Sequence, residues 1–161
     1  MMDEKQRKQV EYRVKNFLKE GSIKTKGNKK FAQFFLKNSK DSLDSANALF
    51  ILSTNRDYQD YTKTHDLRGF LWVINASYYS MFYTARALLD NDGIELKNDL
   101  SIHMLTFDAL VYFFYLTGKL EKRLFEFYVE AKEEASELLG QQTADELIDT
   151  YFFEKNKRSS I

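Results

Sequence analysis

The stretch LRGFLWVINASYYSMFYTARALLD, residues 67–90, decides the fold. Leu67, Leu71, Ile74, Tyr78, Met81, Ala85 and Leu88 follow one another at steps of 4, 3, 4, 3, 4 and 3, the repeat of one face of an α-helix. Trp72, Asn75, Tyr79, Phe82 and Arg86 form a second stripe beside it. A helix apolar over so much of its circumference belongs at the centre of a bundle, with neighbours on several sides. Asp66 precedes the stretch and is expected to cap it by accepting hydrogen bonds from its first free N–H groups, and Asn91-Asp92-Gly93 ends it.

Upstream, residues 4–20 place Val10, Val14, Phe17 and Leu18 on one helical face, and Gly21-Ser22 stops them. A basic link follows, Lys24-Thr25-Lys26-Gly27-Asn28-Lys29-Lys30, and a lysine run of this kind reads first as a solvated loop. A second helix is expected over residues 31–53, with Phe31, Phe35, Leu43, Ala46 and Phe50 near one face, and residues 55–66 read as a polar loop. Downstream, Asn98 or Asp99 should cap a helix that carries His103, Phe107, Leu110 and Phe114 on one stripe, interrupted at Thr117-Gly118. Residues 120–139 form a more charged helix packing through Leu120, Leu124, Phe127 and Ala131, and residues 143–155 a last one with Leu147, Ile148, Tyr151 and Phe152 as its apolar face. The expectation is one all-α domain over residues 1–161, an up-and-down bundle of five to six helices without a sheet. Within it, residues 1–27 are the N-terminal helix and basic link, and residues 28–158 the bundle.

Composition agrees with this and narrows the function. Proline is absent and glycine occurs six times, too few turn-formers for a sheet protein of this length. Lys+Arg and Asp+Glu are both 24, for a net charge of zero. Domains that grip nucleic acid through its phosphates are usually basic overall. RNA contact would here need a local patch or a second subunit, and no DNA specificity is evident. With no cysteine and two histidines the chain offers no basis for a metal site, and no cofactor is implied. The first twenty residues are charged throughout, and the most apolar run, residues 109–116, is far shorter than a membrane span. A cytoplasmic protein without membrane contact is expected.

Residues 69–89, above all the Tyr78-Tyr79 pair followed by Met81-Phe82 and Ala85-Arg86-Ala87-Leu88-Leu89, resemble the signature helix of the HEPN family of helical nucleotide-binding domains. Ile102-His103, Leu105-Thr106-Phe107 and the later Gly118-Lys119-Leu120 resemble the next part of an archaeal-type (UPF0332-like) subgroup, so that the likeness runs over residues 31–158. Such members continue past the position of Lys157–Ser159, and the chain is expected to stop short of their final helix. The resemblance implies a dimerising bundle that cleaves RNA without metal, or that serves as the toxin-like half of a pair with an antitoxin or a nucleotidyltransferase.

It also implies a site. Active members carry an arginine, a short spacer and a histidine near the start of a helix. A neutral imidazole can take the proton of the attacking 2′-hydroxyl, and a fixed cation beside a helix N-terminus can steady the phosphorane. Here His103 stands in that place, with Lys97 five residues upstream of the intervening stretch's end, where the family has arginine. Lysine keeps the charge and lacks the planar fork that matches a phosphate. Arg86, Asn75, Tyr79, Asn98 and Asp99 are the candidates for nucleotide or RNA contact or for the dimer interface. Bland readings stand beside these: His103 as a core histidine, Arg86 as a snorkelling residue at a helix C-terminus, Asn75 as a buried polar pin. His65 reads as solvated, and Tyr58 and Tyr61 as loop aromatics able to stack on a base. The leading reading is a homodimer acting on RNA through Lys97 and His103; the alternative is a non-catalytic homodimer that binds a nucleotide or a partner protein.

Overall fold

Asp3 opens the first helix. Its carboxylate accepts the N–H of Gln6 at 2.7 Å, while its own N–H donates to the Gln6 side chain at 2.9 Å, a reciprocal cap that starts α1 (Glu4–Glu20). Gly21, at φ 74, closes it in the left-handed conformation that glycine adopts without penalty. These elements belong to a computed structural model that describes residues 2–97 and 102–139. After α1 come β1 (Ile23–Lys24), α2 (Ala32–Thr54), α3 (Arg56–Thr62), α4 (Phe70–Asn91), β2 (Glu95–Leu96), α5 (Ile102–Leu110) and α6 (Lys122–Leu139). Helix accounts for 75% of the described residues, so the fold is an all-α bundle. The last helix expected from the sequence, residues 143–155, lies outside the described residues.

The α2–α4 pair forms the frame, and it is held in an unexpected way. The two helices run antiparallel: Ser53 lies against Gly69, Ser39 against Ser80 and Thr84, and Phe31 against Asp90. The buried positions of α2 are Ser39, Ala46 and Ser53, seven residues apart, and small enough for close approach. The Ser39 hydroxyl donates to the Ser80 carbonyl at 2.9 Å, and the Gly69 N–H donates to Ser53 Oγ at 2.9 Å. The sequence pointed to Phe31, Leu43 and Phe50 as packing residues, and all three are exposed. Of the residues expected on this face Ala46 is buried, while the two hydroxyls that complete the seam carry no apolar signal.

Three further departures have local causes. Residues 55–66 are not all loop: Asn55 Oδ1 accepts the N–H groups of Asp57 and Tyr58 and so starts α3. Asp66 does not cap α4. It sits at φ 61 in the turn after α3, and α4 starts at Gly69 with no side-chain cap, its N–H already taken by Ser53. Finally, a short antiparallel ladder is present, pairing Ile23 with Leu96 and Lys24 with Glu95. It ties the end of α1 to the approach to α5.

The core gathers between α1, α4, α5 and α6 around Val14, Phe82, Leu89, Leu105, Ala109, Val111 and Phe125. Helix α5 runs on into a π-helical segment, Val111–Tyr115, closed by the Leu116 N–H donating to the Val111 carbonyl at 2.9 Å. No helix among the described residues is long and apolar enough to cross a membrane.

Candidate functional site

Three helices build the site. Helix α4 supplies Tyr78, Phe82 and Arg86 at spacings of four, which stacks them along one face. Helix α5 supplies His103 in its first turn, and α6 supplies Tyr128 and Lys132. The His103 ring lies over Phe82, with centroids 4.2 Å apart and planes 26° from parallel. The Tyr78 ring lies 5.8 Å away with planes 27° from parallel, and Tyr79 meets the imidazole at 6.0 Å with planes 81° apart. His103 Nδ1 and the Tyr78 hydroxyl are hydrogen-bonded at 2.8 Å. His103 Nε2 is buried and has no hydrogen-bond partner among the described residues.

This setting fixes the chemistry of the ring. Burial, and then the positive charges of Lys132 and Arg86, push the His103 pKa from 6.5 down to about 4. The imidazole is therefore neutral at pH 7, but it is a weak base, far from the value at which proton abstraction is most efficient. Arg86 is only 9% exposed, which rules out snorkelling. Its guanidinium lies 4.6 Å from the Phe35 ring centroid, a cation–π contact in a dry setting. Burial lowers its pKa to about 10, against the opposing pull of Asp90, Tyr83 and Tyr128. It makes no ion pair within 4 Å among the described residues. Burial likewise raises the Tyr128 hydroxyl. The Lys132 ammonium sits 4.2 Å from the Phe107 ring centroid, at the lip of a groove of about 520 Å³ that Glu133 and Glu137 also line.

The candidates from the sequence are thus divided. His103, Arg86 and Tyr79 come together. Lys97 is exposed, its backbone N–H donates to the Ser22 carbonyl at 2.9 Å, and the cations acting on His103 are Lys132 and Arg86. Linear spacing suggested the pair, but the Lys97 backbone is committed to the end of the ladder. Asn75 is half-buried and makes no side-chain hydrogen bond among the described residues, so it does not act as a pin there. Asn98 and Asp99 lie outside the described residues. His65 is exposed and contacts Asp60 at 3.0 Å, and Tyr58 and Tyr61 are exposed on α3 rather than on a loop.

Sequence reasoning missed Tyr128 and Lys132, whose spacing of four is unremarkable in a helix with many charges. It also missed Asp108. This carboxylate is fully buried and receives Arg13 Nε at 2.6 Å and Arg13 Nη2 at 2.8 Å, a bidentate pair joining α1 to α5. Asp108 is the one charged residue in the apolar run 102–116, which was a readable sign that a cation must meet it. Among the described residues no three His, Asp or Glu side chains are placed to hold a metal ion. In comparisons with protein-family models, curated proteins and solved structures, nothing matches the chain.

Proposed function

We propose that this chain is a non-catalytic, HEPN-type binding module that works as a homodimer. The state of His103 carries the reading: buried beside Phe82, Tyr78 and Tyr79, bonded through Nδ1, and lowered to about 4, it is not poised as a general base. The cations that act on His103 are Lys132 and Arg86, and both lower its basicity. Incubation of the pure protein with mixed RNA in EDTA tests this. No cleavage is expected. Cleavage that disappears in a His103→Ala variant would restore the ribonuclease reading.

The outer face of α2 supports the second-copy assignment. Leu36, Leu43 and Phe50 are exposed at 46%, 48% and 51% and stand seven residues apart. That is the repeat of a helix–helix seam, and α2 packs within the chain mainly on α4. A two-fold axis beside α2 would bring the stripe against its own copy. Light scattering should give about twice the 19.1 kDa chain mass, and Leu43→Lys should return it to the single-chain value. A single-chain mass for the unaltered protein at micromolar concentration would refute the pairing.

A second reading concerns the ligand. Buried polar groups are nearly always satisfied, and Arg86 without an ion pair beside His103 Nε2 without a partner is a departure that an anion would resolve. A phosphate-bearing nucleotide has the right chemistry. Calorimetry with ATP and AMP should detect binding that Arg86→Gln abolishes.

A further inference from the structure

We infer that the segment of residues 24–34 is a binding surface for single-stranded nucleic acid, formed by lysines without ion pairs among the described residues and by two exposed phenylalanines that follow them. The inference goes beyond the module described above, since it places a ligand on a surface that neither the α2 seam nor the Arg86–His103 cluster includes.

Charge pairing makes the loop stand out. Six lysines elsewhere have carboxylate partners, Lys8 with Glu4, Lys15 with Glu11, Lys37 with Asp41, Lys40 with Asp44, Lys119 with Asp92 and Lys122 with Glu126, while Lys5, Lys19 and Lys63 form no ion pair among the described residues. In the loop, Lys24, Lys26, Lys29 and Lys30 are all exposed, and among the described residues none forms an ion pair. The ladder sets Lys97 beside them, also exposed and unpaired. The acids nearby do little to cancel this. Asp92 is engaged by Lys119, Asp90 is buried and accepts the Phe31 N–H, and Glu95 alone lies exposed across the ladder from Lys24. A chain of zero net charge therefore carries a local cationic surface.

The loop is also folded, not slack. The Gly27 N–H donates to the Gly93 carbonyl at 2.8 Å, and a Cβ at Gly27 would meet Glu95 Cβ at 2.9 Å. Lys29 is held at φ 52, a conformation lysine rarely adopts. Directly after the lysines, Phe31 and Phe34 are 56% and 53% exposed, each set against Phe35, so their outer faces are rigidly offered to solvent. A run of cations followed by two open aromatic faces offers contacts to both the phosphates and the unstacked bases of a single strand. A duplex hides its base faces, and a lipid surface would want a larger apolar insert than two backed rings.

Fluorescence anisotropy with a labelled single-stranded oligonucleotide, in RNA and DNA form, tests this across a salt series. Five lysines predict a log–log salt slope of about −3.5. Replacing Lys24, Lys26, Lys29 and Lys30 by Gln should bring the slope to about −0.7 and weaken binding at least about tenfold. Phe34→Ala should weaken it about tenfold with the slope unchanged, the mark of lost stacking. All five side chains are exposed, so the helical circular dichroism of the variants should match the parent. An unaltered slope in the lysine variant, a preference for duplex or for anionic lipid vesicles, or no binding by the parent would each overturn the inference. The dimer mass is read independently by light scattering, so that failure here is distinct from failure of the homodimer.

Discussion

Lowering the pH from about 7 to about 4.5 should cost the protein roughly 2.5 kcal/mol through His103 alone. The ring's pKa is about 4 when folded, against about 6.5 when exposed in the unfolded chain. Because the folded value is the lower, the unfolded state takes up the proton first. The stabilising contribution is complete above the unfolded value and is lost as pH falls through the window from about 6.5 to about 4. At about 1.36 kcal/mol per unit, the whole gap is worth about 3 kcal/mol, a substantial share of a typical domain stability of roughly 5–15 kcal/mol. The neighbours reinforce the sign: Arg86 from α4 and Lys132 from α6 both repel a further positive charge, while Tyr128, whose pKa burial raises, remains a neutral hydroxyl over this range. Urea unfolding of the parent and a His103→Gln variant at both pH values isolates the effect, because carboxylates common to both cancel in the difference. The parent's advantage should shrink by roughly 2.5 kcal/mol between the two conditions. An advantage independent of pH, or an imidazole that titrates near 6.5 by NMR, would refute the reasoning.

Other outcomes follow from single contacts. Arg13→Met leaves the fully buried Asp108 carboxylate without its cation and should cost about 3 kcal/mol in chemical denaturation, whereas a loss below about 1 kcal/mol would mean the pair behaves as an ordinary surface contact. Asn55→Ala removes the acceptor that starts α3 and should cost about 1 kcal/mol, read as a lower thermal midpoint. Gly27→Ala forces a Cβ to within 2.9 Å of Glu95 Cβ and should cost roughly 1–3 kcal/mol. Full retention of stability in that variant would show that the loop and the ladder part easily.

The elements that packing and local chemistry both favour were legible in the sequence. Residues 4–20 and the body of α4 alternate apolar and polar positions at helical spacing, and that spacing is enough to place Val10, Val14, Tyr78 and Phe82 in the core. The inner face of α2 was legible only at Ala46, because close helix approach selects Ser39 and Ser53 beside it, which periodicity scores as surface. The expected absence of a sheet failed at four residues, since β1 and β2 gain their pairing from contacts seventy positions apart that no local pattern encodes. For the site, Arg86 and His103 stood on recognisable stripes, but their partners Tyr128 and Lys132 come from a helix whose charges mask them. Lys97 was placed by linear interval alone, and its backbone N–H bonds the Ser22 carbonyl at the end of the ladder.

The π-helical turn at Val111–Tyr115 bears on how this chain can change in length. In an α-helix, deleting one residue rotates everything beyond it by about 100°, and in α4 that would turn the Tyr78–Phe82–Arg86 face away from His103. The π turn already holds one residue more than an α turn requires. Deleting half-buried Tyr112 or Phe113 can be absorbed by reversion to α geometry, leaving the phase on either side, from Asp108 to the approach to α6, as it was. The segment is a reserve of slack in an otherwise rigid frame, and shorter homologous chains should have lost their residue here.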